Sequence, residues 1–265
     1  MSHQIEEHGH LERPCGRIAF RRIAGRGPGL VWFGGFRSDM TGTKAGHLSG
    51  WAAATGRAFL RFDYSGHGAS DGRFEDGTIS VWLADALAAF DRLTEGPQIL
   101  IGSSMGGWIA ALLALRRKER VAGAVFVAPA PDFTEALLWD QLTGPERDQI
   151  LTRGRLVEHS PYSPEPSIIT RALIEDGRRH LILGGPIAIK APVRIVQGMA
   201  DPDVPWRHAL SFAERLETED LEVTFIKTGD HRLSKRHELA AIIDAIGAIS
   251  KGSSLGTPAQ DQSST

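Results

Sequence analysis

The chain has 265 residues, of which 42% are hydrophobic and 23% charged, with a formal net charge of −2. That length suits one α/β domain with a sizeable core, and the near-neutral balance leaves no excess of Lys and Arg to neutralise phosphates, which argues against a nucleic-acid or anionic-membrane surface. Cys15 is the single cysteine, so an intrachain disulfide is excluded and a cysteine zinc site disfavoured.

In chain order, the stretch MSHQIEEHGHLERP has neither the apolar core of a secretory signal nor the Arg-rich, acid-poor character of a transit peptide. No run reaches the roughly 18 apolar residues of a membrane span. With an unpaired thiol, these features predict a soluble, cytoplasmic protein without stable membrane association. Residues 1–16 read as a flexible polar tail, and His3, His8 and His10 within it as tail residues rather than a metal patch.

From residue 17 onward, short runs rich in β-branched and aromatic residues recur: GRIAFRRI, GLVWFGGF, RAFLRFDY, QILIGSS, VAGAVFVAPA, VRIVQG and EVTFIKTGD. Several are apolar on both faces, as strands covered on both sides must be. Helical patterns lie between them: KAGHLSGWAAA, ISVWLADALAAFDRL, WIAALLALRR, WRHALSFAERLE and ELAAIIDAIGAI. The alternation predicts βαβ units around a mostly parallel central sheet with helices on both faces. Residues 17–130 and 192–250 form this core.

Residues 131–191 break the rhythm with helix-like pieces and a proline-punctuated link, SPYSPEPS. Sixty residues is far beyond the usual αβ connection of roughly 2–6 residues, so this is a structured insertion. Leaving the carboxyl ends of the strands, it would cover the crevice where open α/β sheets bind ligands. It reads as a helical lid. The end, residues 251–265, is Ser-, Thr-, Gly- and Gln-rich and reads as a disordered tail.

Chemistry concentrates in GSSMG, residues 102–106, a G-x-S-x-G between a strand and a helix. At such an elbow the central residue is exposed, which selects Ser104 as nucleophile and leaves Ser103 to a local hydrogen bond. A serine hydroxyl needs a base and an orienting carboxylate, in this fold in the order Ser, Asp or Glu, His. Asp201 and Asp203 follow the strand VRIVQG, and His231 follows the next strand. The bland alternatives are that the aspartates cap the WRHALSFAERLE helix and that His231 is a surface-loop histidine. For an oxyanion, the backbone N–H groups of Met105 and of Phe36, in the Gly34-Gly35-Phe36 loop, are the candidate donors. His67 and Lys44 read as a loop histidine and a solvated helix-start lysine, and Trp108 and Trp206 as packing residues or walls of an acyl pocket. No H-E-x-x-H, P-loop or G-x-G-x-x-G after a first strand appears, so no metal or cofactor is implied.

GSSMGGW, RFDYSGHGASDG, QGMADPDVPW, GDHRLS and GGFRSDMTGTKA together resemble the mitochondrial α/β-hydrolase-domain serine esterases, described as palmitoyl-protein thioesterases and acyl-glucuronide esterases. The likeness runs from about residue 29 to 237 and is weak across 131–191. It implies the α/β-hydrolase fold and carries over Ser104 as nucleophile, Asp201 as acid and His231 as base. It also implies a small-molecule ester or acylated-protein substrate. Two other readings compete: a generic carboxylesterase or monoacylglycerol-lipase-like hydrolase, and a hydrolase-fold binding module without turnover.

Overall fold

Residues 6–14, 16–158 and 167–252 are described by the structure, a computed structural model. The strands are β1 Glu7–Leu11, β2 Ile18–Ile23, β3 Arg26–Phe33, β4 Arg57–Phe62, β5 Gln98–Ser103, β6 Val121–Val127, β7 Arg155–Glu158, β8 Ser167–Thr170, β9 Val193–Gly198 and β10 Leu221–Ile226. The α-helices are α1 Thr43–Thr55, α2 Ile79–Leu93, α3 Met105–Arg116, α4 Gly144–Arg153, α5 Arg171–Gly177, α6 Trp206–Arg215 and α7 Arg236–Gly252.

Eight strands form one sheet in the order β1-β2-β4-β3-β5-β6-β9-β10. Among the described strands of this sheet, only β2 runs against the rest. Side chains alternate between two apolar layers, as the period of two requires. Val31, Phe33, Leu100 and Phe126 pack with α2, α3 and α6 residues such as Trp82, Trp108 and Phe212. Leu30, Trp32, Ile101 and Val125 pack on the other face with Leu48 of α1 and Ile242 and Ile246 of α7. Full burial of each such Leu, Ile or Phe contributes about 1.5–3 kcal/mol, so both helical layers are strongly held. The chain steps from β3 outward to β4 and then back across to β5. That reversal opens a crevice at the carboxyl ends of β3 and β5.

Two expectations are corrected. The stretch expected to be a flexible tail over 1–16 contributes β1, which pairs antiparallel with β2 and sets His8 opposite Arg21 and His10 opposite Ala19. Glu6 binds the Arg61 guanidinium at 2.7 Å. His3 and Cys15 lie outside the described residues, as does most of the expected 251–265 tail, whose first two residues belong to α7.

The insertion at 131–191 is not purely helical. It holds α4, α5, a π-turn at Thr134–Leu138 and an antiparallel pair, β7 with β8. Ile150, Leu156, Ile169 and Ile174 give it a small core of its own. It is tied down at the roots. The Asp132 carboxylate accepts the Leu183 N–H at 2.8 Å and the Ile182 N–H at 2.9 Å, and Trp108 Nε1 donates to the His180 carbonyl.

Candidate active site

Between the end of β5 and the start of α3, Ser104 has φ 54° and ψ −123°, a conformation costly for a non-glycine residue and held only by its surroundings. The flanking glycines explain the rigidity. A Cβ on Gly106 would lie 2.1 Å from the Phe33 carbonyl oxygen, and one on Gly102 would lie 2.4 Å from the Gly106 oxygen. Backbone thus packs on backbone at the elbow. Gly106→Ala is expected to cost about 1–3 kcal/mol by overpacking, read as a lower urea midpoint; an unchanged midpoint would mean that the elbow yields.

Behind this serine stand the candidate acid and base. His231 Nε2 is 3.1 Å from Ser104 Oγ, and His231 Nδ1 is 2.8 Å from Asp201 Oδ2. The Asp201 side chain is fully buried and that of His231 a quarter exposed. Asp201 Oδ1 accepts the N–H groups of Asp203 and Val204 at 2.9 and 2.8 Å, while Gln197 Nε2 donates to Oδ2 at 3.3 Å. The two loops are bound to each other: the Ala200 N–H donates to the Gly229 carbonyl, and a Cβ on Gly198 would sit 2.3 Å from that oxygen. The capping alternative fails, because α6 begins at Trp206 with Pro205 at its N-cap and no side-chain cap. Ser103 has no such partners, and its expected local hydrogen bond is absent among the described residues; it ends β5, buried.

Next to the serine lie the two candidate donors. The Ser104 N–H is spent on the Val127 carbonyl, but Met105, first residue of α3, has no intrahelical acceptor. In the loop after β3, the Gly35 N–H donates to Ser38 Oγ at 2.9 Å and the Ser38 N–H to the Gly35 carbonyl at 3.1 Å. A trans peptide points its C=O and N–H in opposite directions, so the second bond aims the Phe36 N–H away from Ser38. The position of a Gly35 Cβ is 3.4 Å from Ser104 Cβ. This peptide therefore runs beside the serine.

Two cavities meet at Ser104 and His231. One, about 390 Å³, runs under the insertion and is walled by Phe133, Leu137, Leu138 and Ile169. The other, about 430 Å³, has Ser38, Asp39, Lys44 and Arg232 in its wall. Lys44, the second residue of α1, is thus half-buried rather than fully solvated. Burial pushes its ammonium down to about 8 against the pull of Asp230, and Nζ donates to the Arg232 carbonyl. His67 is buried as well. Trp108 packs edge-on to Phe133, and Trp206 edge-on to Phe225. Sequence reasoning passed over Gln197 and Ser38, although a glutamine closing an apolar strand and a serine three residues after the Gly-Gly pair were visible signals. Asp201, Asp203 and His231 also present ligand atoms within 4.8 Å of one another. A cation there would have to displace the 2.8 Å acid–histidine bond.

A sheet with a serine elbow after β5, an acid after β9 and a histidine after β10 defines an α/β hydrolase. A family model described as serine aminopeptidase, S33, matches residues 37–172. The palmitoyl-protein thioesterase ABHD10, mitochondrial, of Bos taurus is 37% identical over 238 residues, covering 89% of this chain and 78% of that protein. The Homo sapiens protein is 34% identical with the same coverage. Among solved structures, alpha/beta hydrolase domain-containing protein 10 from mouse superposes with a TM-score of 0.86 at 33% identity, covering 93% of this chain and 99% of that one. A protein of Agrobacterium vitis S4 does so at 0.85 and 44% identity, covering 93% and 98%. The chain belongs to the α/β-hydrolase family of the ABHD10 thioesterases.

Proposed function

We propose that this hydrolase cleaves carboxylic esters and thioesters through an acyl-enzyme on Ser104, with long-chain S-acyl groups on protein or small-molecule carriers as its substrate class. The observation that carries the reading is the His231 imidazole bridging the buried Asp201 carboxylate and Ser104 Oγ at 2.8 and 3.1 Å. Ser104 Oγ attacks the acyl carbon as its proton passes to His231 Nε2. Asp201, bonded to Nδ1–H, fixes the tautomer and stabilises the imidazolium. The Met105 and Phe36 N–H groups hold the oxyanion. The leaving thiol or alcohol departs with the proton from His231. Water then gives up a proton to the same nitrogen as it attacks the acyl carbon, and His231 returns that proton to Ser104 Oγ as the acid leaves. Residues 131–191 act as the lid, with the 390 Å³ cavity, walled by Phe133, Leu137 and Leu138, taking the acyl chain and the 430 Å³ one the leaving group.

The relatives' name as palmitoyl-protein thioesterases supports the thioester side of this reading. Covalent labelling by a fluorophosphonate probe, mapped by mass spectrometry, tests it directly: a protein left unlabelled is a binding module. Chain-length kinetics below the micelle concentration test the acyl class. Each buried CH₂ contributes about 0.8 kcal/mol, so four more methylenes should raise kcat/KM by up to about a hundredfold from acetyl to hexanoyl. Leu137→Trp, filling the acyl cavity, should lose roughly tenfold on octanoyl esters, the worth of about two methylenes, while acetyl turnover is kept. A maximum at acetyl with no thioester cleavage would leave a small-ester carboxylesterase. No described helix is long and apolar enough to cross a membrane. The relatives are named mitochondrial; the cytoplasmic reading of this chain rests on its composition, and cell fractionation followed by probe labelling tests it.

A further inference from the structure

The proposed Phe36 donor sits in a loop that has to be held against its own strain. Arg37, the next residue, has φ 58°, and a non-glycine residue stays in that region only where neighbours over-determine it. The bonds between Gly35 and Ser38 are internal and would travel with the loop. Two other ties, from the Met40 N–H to Asp63 Oδ1 at 2.6 Å and from Arg61 to the Met40 carbonyl at 2.9 Å, act four residues away from Phe36. Next to it, the Arg37 N–H donates to His67 Nε2 at 3.2 Å.

We propose that His67 is a positioning residue for acyl transfer: a buried, neutral imidazole whose Nε2 lone pair accepts the Arg37 N–H and so aims the Phe36 N–H at the oxyanion. The inference rests on the function proposed above. Three observations bear on it. The ring's Nδ1 lies 3.3 Å from the Ser65 carbonyl, an acceptor, so the proton belongs on Nδ1 and the lone pair on Nε2 faces Arg37. The ring is 4% exposed and packs edge-on to Phe74 and Trp82 at 5.1 and 5.3 Å between centroids. Phe36 packs on those same two rings. The loop's polar tie and its apolar seat are thus one unit. Finally, the turn that carries His67 is itself fixed: Gly66 and Gly68 have φ of 74° and 49°, and a Cβ on Gly68 would meet Asp63 Oδ2, whose oxygen also takes the Ala69 N–H at 2.9 Å. Burial, reinforced by the Arg37 charge, holds the imidazolium of His67 below the usual histidine range, which keeps the lone pair available.

The test compares wild type, His67→Leu and His67→Gln, with the fluorophosphonate-reactive fraction of each fixing the concentration of competent sites. Loss of one oxyanion donor costs about 10²–10³ in kcat. A misaimed donor should cost His67→Leu roughly 10–10²-fold per competent site, with KM changed little. His67→Gln, which keeps an acceptor, should recover most of the loss. Affinity for a trifluoromethyl ketone, which adds Ser104 to form a tetrahedral alkoxide, should fall in parallel, whereas affinity for the corresponding alcohol should not. A His67→Leu protein with normal kcat and ketone affinity per competent site overturns the proposal, even if fewer sites are competent, because the role is then only packing. Equal losses in the Gln and Leu variants overturn the acceptor role. A wild-type protein unlabelled at Ser104 removes the underlying function and this inference with it; a labelled wild type with an unimpaired His67→Leu removes the inference alone.

Discussion

Ser104→Ala is expected to abolish fluorophosphonate labelling and to lower kcat on the order of 10⁵–10⁶-fold, the cost of deleting a serine nucleophile, whereas Ser103→Ala keeps most of both. The two hydroxyls are adjacent in sequence but not in chemistry. Ser104, at φ 54°, is turned out of the strand so that Oγ meets His231 Nε2 at 3.1 Å. Ser103 completes β5 in register with Val127 and its hydroxyl bonds to no base among the described residues, although it borders the 430 Å³ cavity. A small residual rate should survive in Ser104→Ala, because donors and binding act without the nucleophile. Circular dichroism and the urea midpoint check that both variants fold. Mass spectrometry that found the probe on Ser103, or equal losses in the two folded variants, would overturn the assignment.

The hydrolase core was legible because its signals are redundant. All seven apolar runs read as strands lie on strands of the large sheet, and the five strong helical patterns lie on α1, α2, α3, α6 and α7. QILIGS is buried at every position, and ten of the twelve residues of α3 are buried. Continuous apolarity followed by G-x-S-x-G has few other meanings. β1 was illegible for the opposite reason. EHGHL carries no alternating apolar pattern, and its place in the sheet comes from pairing with β2, a long-range fact that no local window contains.

In the insertion, SIIT reads locally as the first part of the helical pattern that follows it. A short apolar run cannot be told from a buried helical turn by periodicity, and its partner β7 lies across the proline-rich link. The site divides in the same way. Residue order and loop position were enough to nominate Ser104, Asp201 and His231, since each follows a recognisable strand. Lys44 and His67 gave no sign of burial, because what covers them comes from elsewhere in the chain: the His231–Ser234 loop over Lys44, and Phe74 and Trp82 around His67.

Asp201→Asn is expected to lower kcat on the order of 10⁴-fold, while Asp203→Asn leaves kcat nearly unchanged. The geometry gives the reason. Oδ1 of Asp201 is claimed by two backbone N–H donors, from Asp203 and Val204, so an asparagine here must place its carbonyl oxygen on them. Its NH₂ then faces His231 Nδ1 at the position that Oδ2 holds 2.8 Å away, and Gln197 Nε2 meets a second donor where it now meets an acceptor. His231 must present Nδ1 as an acceptor and carry its proton on Nε2. In that tautomer it cannot take the proton of Ser104. Asp203 offers its backbone N–H to this arrangement, which an asparagine retains, and its exposed side chain makes no hydrogen bond to another described residue. Steady-state kinetics on one activated ester, with labelling rates and urea midpoints for both variants, decide the matter. A folded Asp201→Asn protein of near-normal kcat beside a crippled Asp203→Asn protein would move the acid to position 203.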